Sequence, residues 1–338
     1  MGSPKLLTSK IGFHHDIDRS RGVAILIVVL SHAAGLSIET LAGRTVTLAL
    51  SGVTWTFVFI SGYLMAQLRD NYTNHLYLVN KIRTVIYPYI LVVSLILLSR
   101  YLIREFLEME MRDVEILDYY LLGYPAAGPL WFIPMIALFY IFFPVYKTLC
   151  QRPLTVLLLT ALSFSYSILV GRPSVPDSIF HSFAYFQSAY LGGICYCLYR
   201  DRIDNVVSSL VPFMACVMVF GTVLSIVGIE ENHQWQIFAM SPLTLILIHT
   251  MKYESFGSAF WRWLASRSFG IFLLHGPVLI IAQRSFGSDL NIVNALFAGV
   301  GIVVVSGGIV STIRYVKFVA SNLVNYIVRR QNIYLLGK

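Results

Sequence analysis

Apolar runs of membrane-spanning length recur along all 338 residues, separated by short polar gaps. Ten can be drawn, at about 22–37, 46–68, 85–103, 130–149, 154–170, 179–199, 206–228, 235–251, 268–283 and 292–319. In hydrocarbon each segment must satisfy its own backbone, so runs of this kind are helices. The pattern predicts an all-α protein, a polytopic membrane helical bundle of about ten transmembrane helices. The longest polar gap runs from Arg100 to Gly128. No soluble domain is left between the spans, and 1–338 reads as a single integral membrane domain. Residues 1–20 form a polar N-terminal tail and residues 320–338 a basic C-terminal tail. The polar start does not fit a signal peptide, so the first run reads as an uncleaved anchor.

Composition agrees with the pattern. Hydrophobic residues make up 57% of the chain, charged residues 12%, and the mean hydropathy is +0.71; an average soluble domain has about 25% charged residues. The net charge of +8 matters through its distribution. With the N-terminus in the cytoplasm and the chain alternating, 19 of the 25 Lys and Arg fall on the cytoplasmic side. Arg44, Arg100, Arg104, Arg112, Arg172 and Arg284 remain outside. That asymmetry follows the positive-inside rule and predicts that both termini are cytoplasmic. It makes the basic charge a topological signal, and no nucleic acid is expected as a partner. The acidic stretch Glu105, Glu108, Glu110, Asp113, Glu115 and Asp118 reads as a solvated loop face, with contact to an external substrate as the second reading. Cys150, Cys195, Cys197 and Cys216 lie in or at the ends of apolar runs and lack the pairing of a zinc site, so they read as packing residues and no metal is expected.

The candidate chemistry starts in the first run. Arg21 and His32 are eleven residues apart, close to three helical turns, so they share a face and lie roughly 16 Å apart along the axis. An ionisable group at membrane depth is a functional candidate by default, and histidine is the usual general base near neutral pH. Asp18 stands three residues before Arg21, where the pair can fix the guanidinium. The bland readings are a positive-inside anchor for Arg21 and an interhelical hydrogen bond for His32. In the second run Ser61-Gly62 permits close helix approach and Tyr63 adds a hydroxyl. Lys81 and Arg83 precede Pro88 at a cytoplasmic helix start, which suits phosphate, anionic lipid or plain topology. Trp131 fits an aromatic belt at the outer interface. His275 stands two residues before Pro277, where a kinked helix is expected.

Taken in order, these pieces resemble a known family. Asp18-x-x-Arg21-Gly22 leads to His32; Phe59-x-x-Ser61-Gly62-Tyr63-Leu64-Met65 follows; a basic pair precedes Pro88; then come Leu130-Trp131-Phe132 and Ser268-x-Gly270-Ile271-Phe272-Leu273-Leu274-His275-x-Pro277-Val278. This series is similar to acyltransferase family 3, the integral membrane acyltransferases, from about Asp18 to Pro277. The Arg-x10-His element is the most diagnostic part. The resemblance implies about ten spans and transfer of an acyl group, usually acetyl, from acetyl-CoA or another acyl-CoA on the cytoplasmic side. The acceptor it implies is a cell-surface carbohydrate such as O-antigen, exopolysaccharide or capsule, at a bacterial inner (cytoplasmic) membrane. It implies catalytic roles for His32, Arg21 and Asp18, CoA binding by Arg21, Lys81 and Arg83, and a cavity lined by Ser61, Tyr63, Trp131 and His275. Acyl-CoA is a donor substrate, and no permanently bound cofactor is expected. The basic segment after the second run is thinner than in many members, and no appended esterase-like domain is present. The rival reading is an exporter or flippase for a polysaccharide or lipid-linked sugar; weak repeat symmetry between the two halves weighs against it.

Overall fold

A computed structural model of the chain describes residues 14–107, 116–172, 179–227, 235–253, 258–286 and 290–336. Residues 1–13 of the predicted N-terminal tail, and the acidic stretch from Glu108 to Glu115, lie outside the described residues. Among the described residues there is no strand. The helices are α1 (His15–Ala34), α2 (Leu41–Leu50), α3 (Thr54–Leu68), α4 (Asn74–Lys81), α5 (Tyr87–Leu107), α6 (Ile116–Leu121), α7 (Phe132–Ile141), α8 (Phe143–Leu149), α9 (Pro153–Val170), α10 (Ile179–Leu198), α11 (Arg200–Val227), α12 (Gln236–Tyr253), α13 (Ser258–Phe286) and α14 (Ile292–Leu336).

Seven helical segments among the described residues are long and apolar enough to cross a membrane: His15–Ser37, Leu41–Asn71, Asn74–Leu102, Pro153–Val170, Arg200–Leu224, Ser258–Ser285 and Ile292–Lys317. The segment holding α7 and α8, bent by 56° where they meet, would make an eighth. The predicted count of about ten also includes α10 and α12, which fall outside this set. Both carry polar side chains along their length, with His181, Ser182, Gln187 and Ser188 on α10 and Gln236, Ser241, Thr244 and His249 on α12. Most of α10 is covered by protein, whereas only Val156 and Ser167 are buried on α9. A helix surrounded by other helices does not need an apolar exterior, so its hydropathy falls.

The described helices begin and end away from several predicted limits. α1 starts at His15, seven residues before the predicted run, and takes in residues assigned to the polar tail. Asp16 and Asp18 sit in its first turn, where carboxylates complement the helix dipole. The second run divides at Ser51–Val53, where Gly52 adopts a φ of 94°. α2 is capped by Thr40, whose hydroxyl accepts from the Gly43 amide at 2.9 Å. α13 continues unbroken through Pro277, and α14 continues past the predicted end of the last run to Leu336.

Small residues set the packing around α1. α13 runs parallel to it: Gly22 faces Trp261 and Ala265, while His32 faces His275. A Cβ on Gly22 would stand 3.2 Å from the Ala265 amide nitrogen. α14 runs antiparallel on another flank, with Gly299 against Leu30 and Ala33. α3 and α10 are antiparallel and in backbone contact, Gly62 against the Tyr190 carbonyl and Gly193 against that of Phe59. A hydrogen bond of 2.7 Å between the buried hydroxyls of Thr56 and Thr244 ties α3 to α12.

Where α1 begins, a polar cluster joins five helices. Arg200 at the start of α11 donates to the Asp16 carboxylate and to the Tyr63 hydroxyl. Tyr196 donates to Asp204 at 2.5 Å, and Lys252 reaches the same carboxylate at 3.1 Å. Arg19 donates to the Met251 carbonyl at 3.2 Å. The two buried or half-buried carboxylates therefore each have a cation, as burial requires.

Candidate active site

α1 is buried along nearly its whole length. From Asp16 to Ser37 every residue is buried or half-buried except one, and that one is His32. Its neighbours Ser31, Ala33 and Ala34 are buried. The parallel course of α13 brings His275 alongside His32, with ring centroids 5.4 Å apart.

His275 is fully buried. Its Nδ1 lies 2.7 Å from the Phe272 carbonyl and 3.2 Å from that of Ile271. A carbonyl only accepts, so Nδ1 carries the proton and Nε2 of the neutral ring keeps a lone pair. Nε2 is buried and has no hydrogen-bond partner. Two histidines of opposite condition thus face each other, one exposed and one fully buried. Gly276 lets α13 approach the stretch before α7: a Cβ there would meet Ala127 at 3.1 Å and Pro129 at 3.3 Å. Phe132 packs on Phe272 at 5.1 Å, and the half-buried Trp131 packs on Phe186 at 5.9 Å.

Arg172 belongs to the same end of the bundle. Gly171, with a φ of 72°, ends α9 and turns the chain inward. The Arg172 guanidinium donates to Gln236 Oε1 at 3.0 Å, and Gln236 Nε2 donates to Ser51 Oγ at 2.6 Å. Arg172 lies within Coulombic reach of His32. Burial pushes its pKa below the usual arginine value, with the Tyr185 phenol acting in the other direction; it remains a cation. Sequence patterning placed Arg172 in an outer loop, and nothing local signals its bond to Gln236 of α12.

The second pole lies toward the start of α1. Arg21 Nη2 meets Asp18 Oδ1 at 2.6 Å, the pair expected from the i, i+3 spacing. Lys81 is within Coulombic reach of Arg21. Its ammonium stands 4.8 Å from the Tyr140 ring centroid and 5.3 Å from that of Tyr77. Two cations and one carboxylate leave this pole positive. Arg83 lies on the π-helical turn Ile82–Ile86, exposed, with no hydrogen bond or ion pair among the described residues. Ser61 is half-buried beside Gly62. Tyr63 is buried, and its hydroxyl is taken by Arg200 in the cluster at the start of α1. Asp16, Arg200, Arg172 and Gln236 are polar residues of the interior that sequence reasoning missed. Only the run of charges around the start of α1 hinted at the first.

Residues 14–311 match the model of an acyltransferase family, described as an acyltransferase domain. The chain belongs to acyltransferase family 3. With its apolar helices, it is an integral membrane acyltransferase. The family match spans both poles, from the residue before α1 into α14. No curated protein and no solved structure matches the chain.

Proposed function

We propose that the protein moves an acyl group, acetyl in the first instance, from acyl-CoA to a hydroxyl of a cell-surface carbohydrate, with His32 as the general base. The observation that carries this reading is the exposure of His32 in a stretch, Asp16 to Ser37, that is otherwise buried or half-buried, with His275 alongside. A base must reach both solvent-borne substrate and a proton, and His32 is the residue of α1 that can. The donor enters at the Arg21 and Lys81 pole, whose positive charge suits the CoA phosphates. Arg83, exposed nearby in sequence, meets the same phosphates where they leave the bundle. The pantetheine arm then runs along α1 toward His32. The acceptor oxygen attacks the thioester carbonyl while His32 takes its proton. The new C–O bond forms, the C–S bond breaks, and the thiolate leaves as CoA, reclaiming the proton from the imidazolium. Asp18 positions Arg21, and Ser61, Trp131 and His275 shape the cavity wall.

This reading includes an orientation. Arg19, Arg69, Lys147, Arg200, Arg202 and Lys252 gather at the end where α1 begins, and we assign that end and both termini to the cytoplasm of a bacterial inner membrane. α10 and α12 then count as interior spans and bring the total to about ten. The test is acyl transfer from labelled acetyl-CoA to surface glycan in membranes holding wild type, His32→Ala or Arg21→Ala at matched expression. Loss of incorporation in His32→Ala is expected. Wild-type incorporation in that variant removes His32 as the base, and substrate movement across the membrane without acylation by wild type replaces the transferase with a transporter.

A further inference from the structure

The cations of the bundle differ in how their charge is met. Arg21 has Asp18, and Arg200 has Asp16 and Asp204. Arg172 has no carboxylate among the described residues; its hydrogen-bond partner is the neutral Gln236. That glutamine is itself fixed. Its amide nitrogen is committed to Ser51, which turns its carbonyl oxygen toward Arg172. The relay from Ser51 through Gln236 therefore aims the guanidinium without neutralising it. Arg172 is half-buried, and among the described residues its guanidinium hydrogen-bonds through Nη1 to Gln236, so Nη2 and Nε remain for a ligand. A guanidinium drawn into protein with no carboxylate beside it among the described residues is costly unless a ligand supplies the charge. The guanidinium fork is the donor array that best fits an oxyanion with two oxygens.

We infer that Arg172, aimed by Gln236 and Ser51, is the receptor for an acidic group, a carboxylate or a phosphate, on the acceptor. The acceptor is then an acidic sugar, bound from the pole opposite Arg21 and Lys81, with its hydroxyl delivered to His32. This rests on the acyltransferase reading only for the word acceptor; anion recognition at Arg172 stands on the geometry of that pole. The two poles divide the work. One holds the phosphates of the donor and the other the acid of the acceptor, with His32 toward the second.

Equilibrium binding to the purified full-length protein separates the two readings. The probes are a glucuronate-containing oligosaccharide, its carboxyl-reduced counterpart and a sugar phosphate. Wild type is expected to bind one or both anionic probes more tightly than the reduced saccharide. Arg172→Ala is expected to weaken that binding on the order of 10- to 100-fold, leaving the reduced saccharide unchanged. Arg172→Lys, which keeps the charge and loses the fork, falls between. His32→Ala keeps the preference. Preference for the uronate identifies a carboxylate acceptor, and preference for the sugar phosphate a phosphorylated one. Equal binding of all three probes by wild type overturns the inference, whether or not any variant folds. So does a preference that survives in Arg172→Ala, or a loss of acetyl transfer in that variant with all binding intact, which makes Arg172 a stabiliser of the reacting carbonyl instead. Anion preference without acyl transfer from any acyl-CoA keeps the inference and removes the transferase reading.

Discussion

His32 and His275 are the same residue type in opposite surroundings, and their roles divide accordingly. His32 is exposed, and its neighbours on α1, Ser31, Ala33 and Ala34, are buried. His275 spends its Nδ1 proton on its own helix, so Nε2 can only accept. On the proposed mechanism His32 gains a proton during turnover, and that lone pair is the acceptor beside it. The proposed mechanism thus makes His275 a positioning residue. His275→Phe, which keeps a ring, is expected to lower kcat by about 10- to 100-fold with little change in the KM for acetyl-CoA. His275→Gln, which restores an acceptor, recovers part of the loss. Steady-state kinetics on the two variants decide the point, and wild-type kcat in His275→Phe ends the argument. Arg200 makes a prediction of a different kind. Arg200→Ala leaves the buried Asp16 carboxylate without its cation, at a cost of about 3–5 kcal/mol. A drop in the thermal unfolding midpoint in detergent is expected, smaller in Asp16→Asn than in Arg200→Ala. An unchanged midpoint would show that the cluster does not hold these helices together.

Among the helices, what was legible in the sequence was what a single segment encodes. Ser61-Gly62 announced a close helix contact, and Gly62 lies against the Tyr190 carbonyl. The Asp18–Arg21 pair follows from spacing alone. The partners were not legible, because they depend on which helices become neighbours. Gly193, Arg172 and the parallel pairing of α1 with α13 bring together residues far apart in the chain. The apolar pattern did reveal α10 and α12 as runs, at 179–199 and 235–251, although their polar side chains keep them outside the set long and apolar enough to cross a membrane. The glycines offer a test with its own control. A Cβ on Gly62 or Gly193 would run into the opposing backbone carbonyl, which cannot swing aside as a side chain can. Gly62→Ala and Gly193→Ala are expected to destabilise the protein by about 1–3 kcal/mol and to reduce transfer by shifting α3. Gly301 and Gly308 on α14 have nothing within 4 Å of such a Cβ. Alanine at either is expected to be neutral or stabilising by up to about 1 kcal/mol. Thermal unfolding of the four variants checks this, and equal destabilisation of all four contradicts it.

For the molecule as a whole, the decisive quantity is which end faces which compartment, because the two-pole mechanism depends on it. On the proposed reading, Arg21 and Lys81 serve a donor that is made in the cytoplasm, and Arg172 serves an acceptor approaching from the other side. Asp70, after α3, and Glu39, after α1, are exposed at opposite ends of the bundle. In a background with Cys150, Cys195, Cys197 and Cys216 replaced, Glu39→Cys is expected to react with a membrane-impermeant maleimide in intact spheroplasts. Asp70→Cys is expected to react only after permeabilisation. The reverse pattern would put Arg172 and the open side of His32 toward the cytoplasm and turn Arg21 and Lys81 outward. A cytoplasmic CoA would then meet the wrong pole, and the basic residues around the start of α1 would violate the charge rule that assigned them. Labelling of both positions from one side would break the alternation itself and remove the α2–α3 segment, which lies between them, from the count of spans. The expected pattern leaves His32 about three helical turns from the cytoplasmic mouth, deep enough for a cytoplasmic thioester to meet a hydroxyl that never enters the cell.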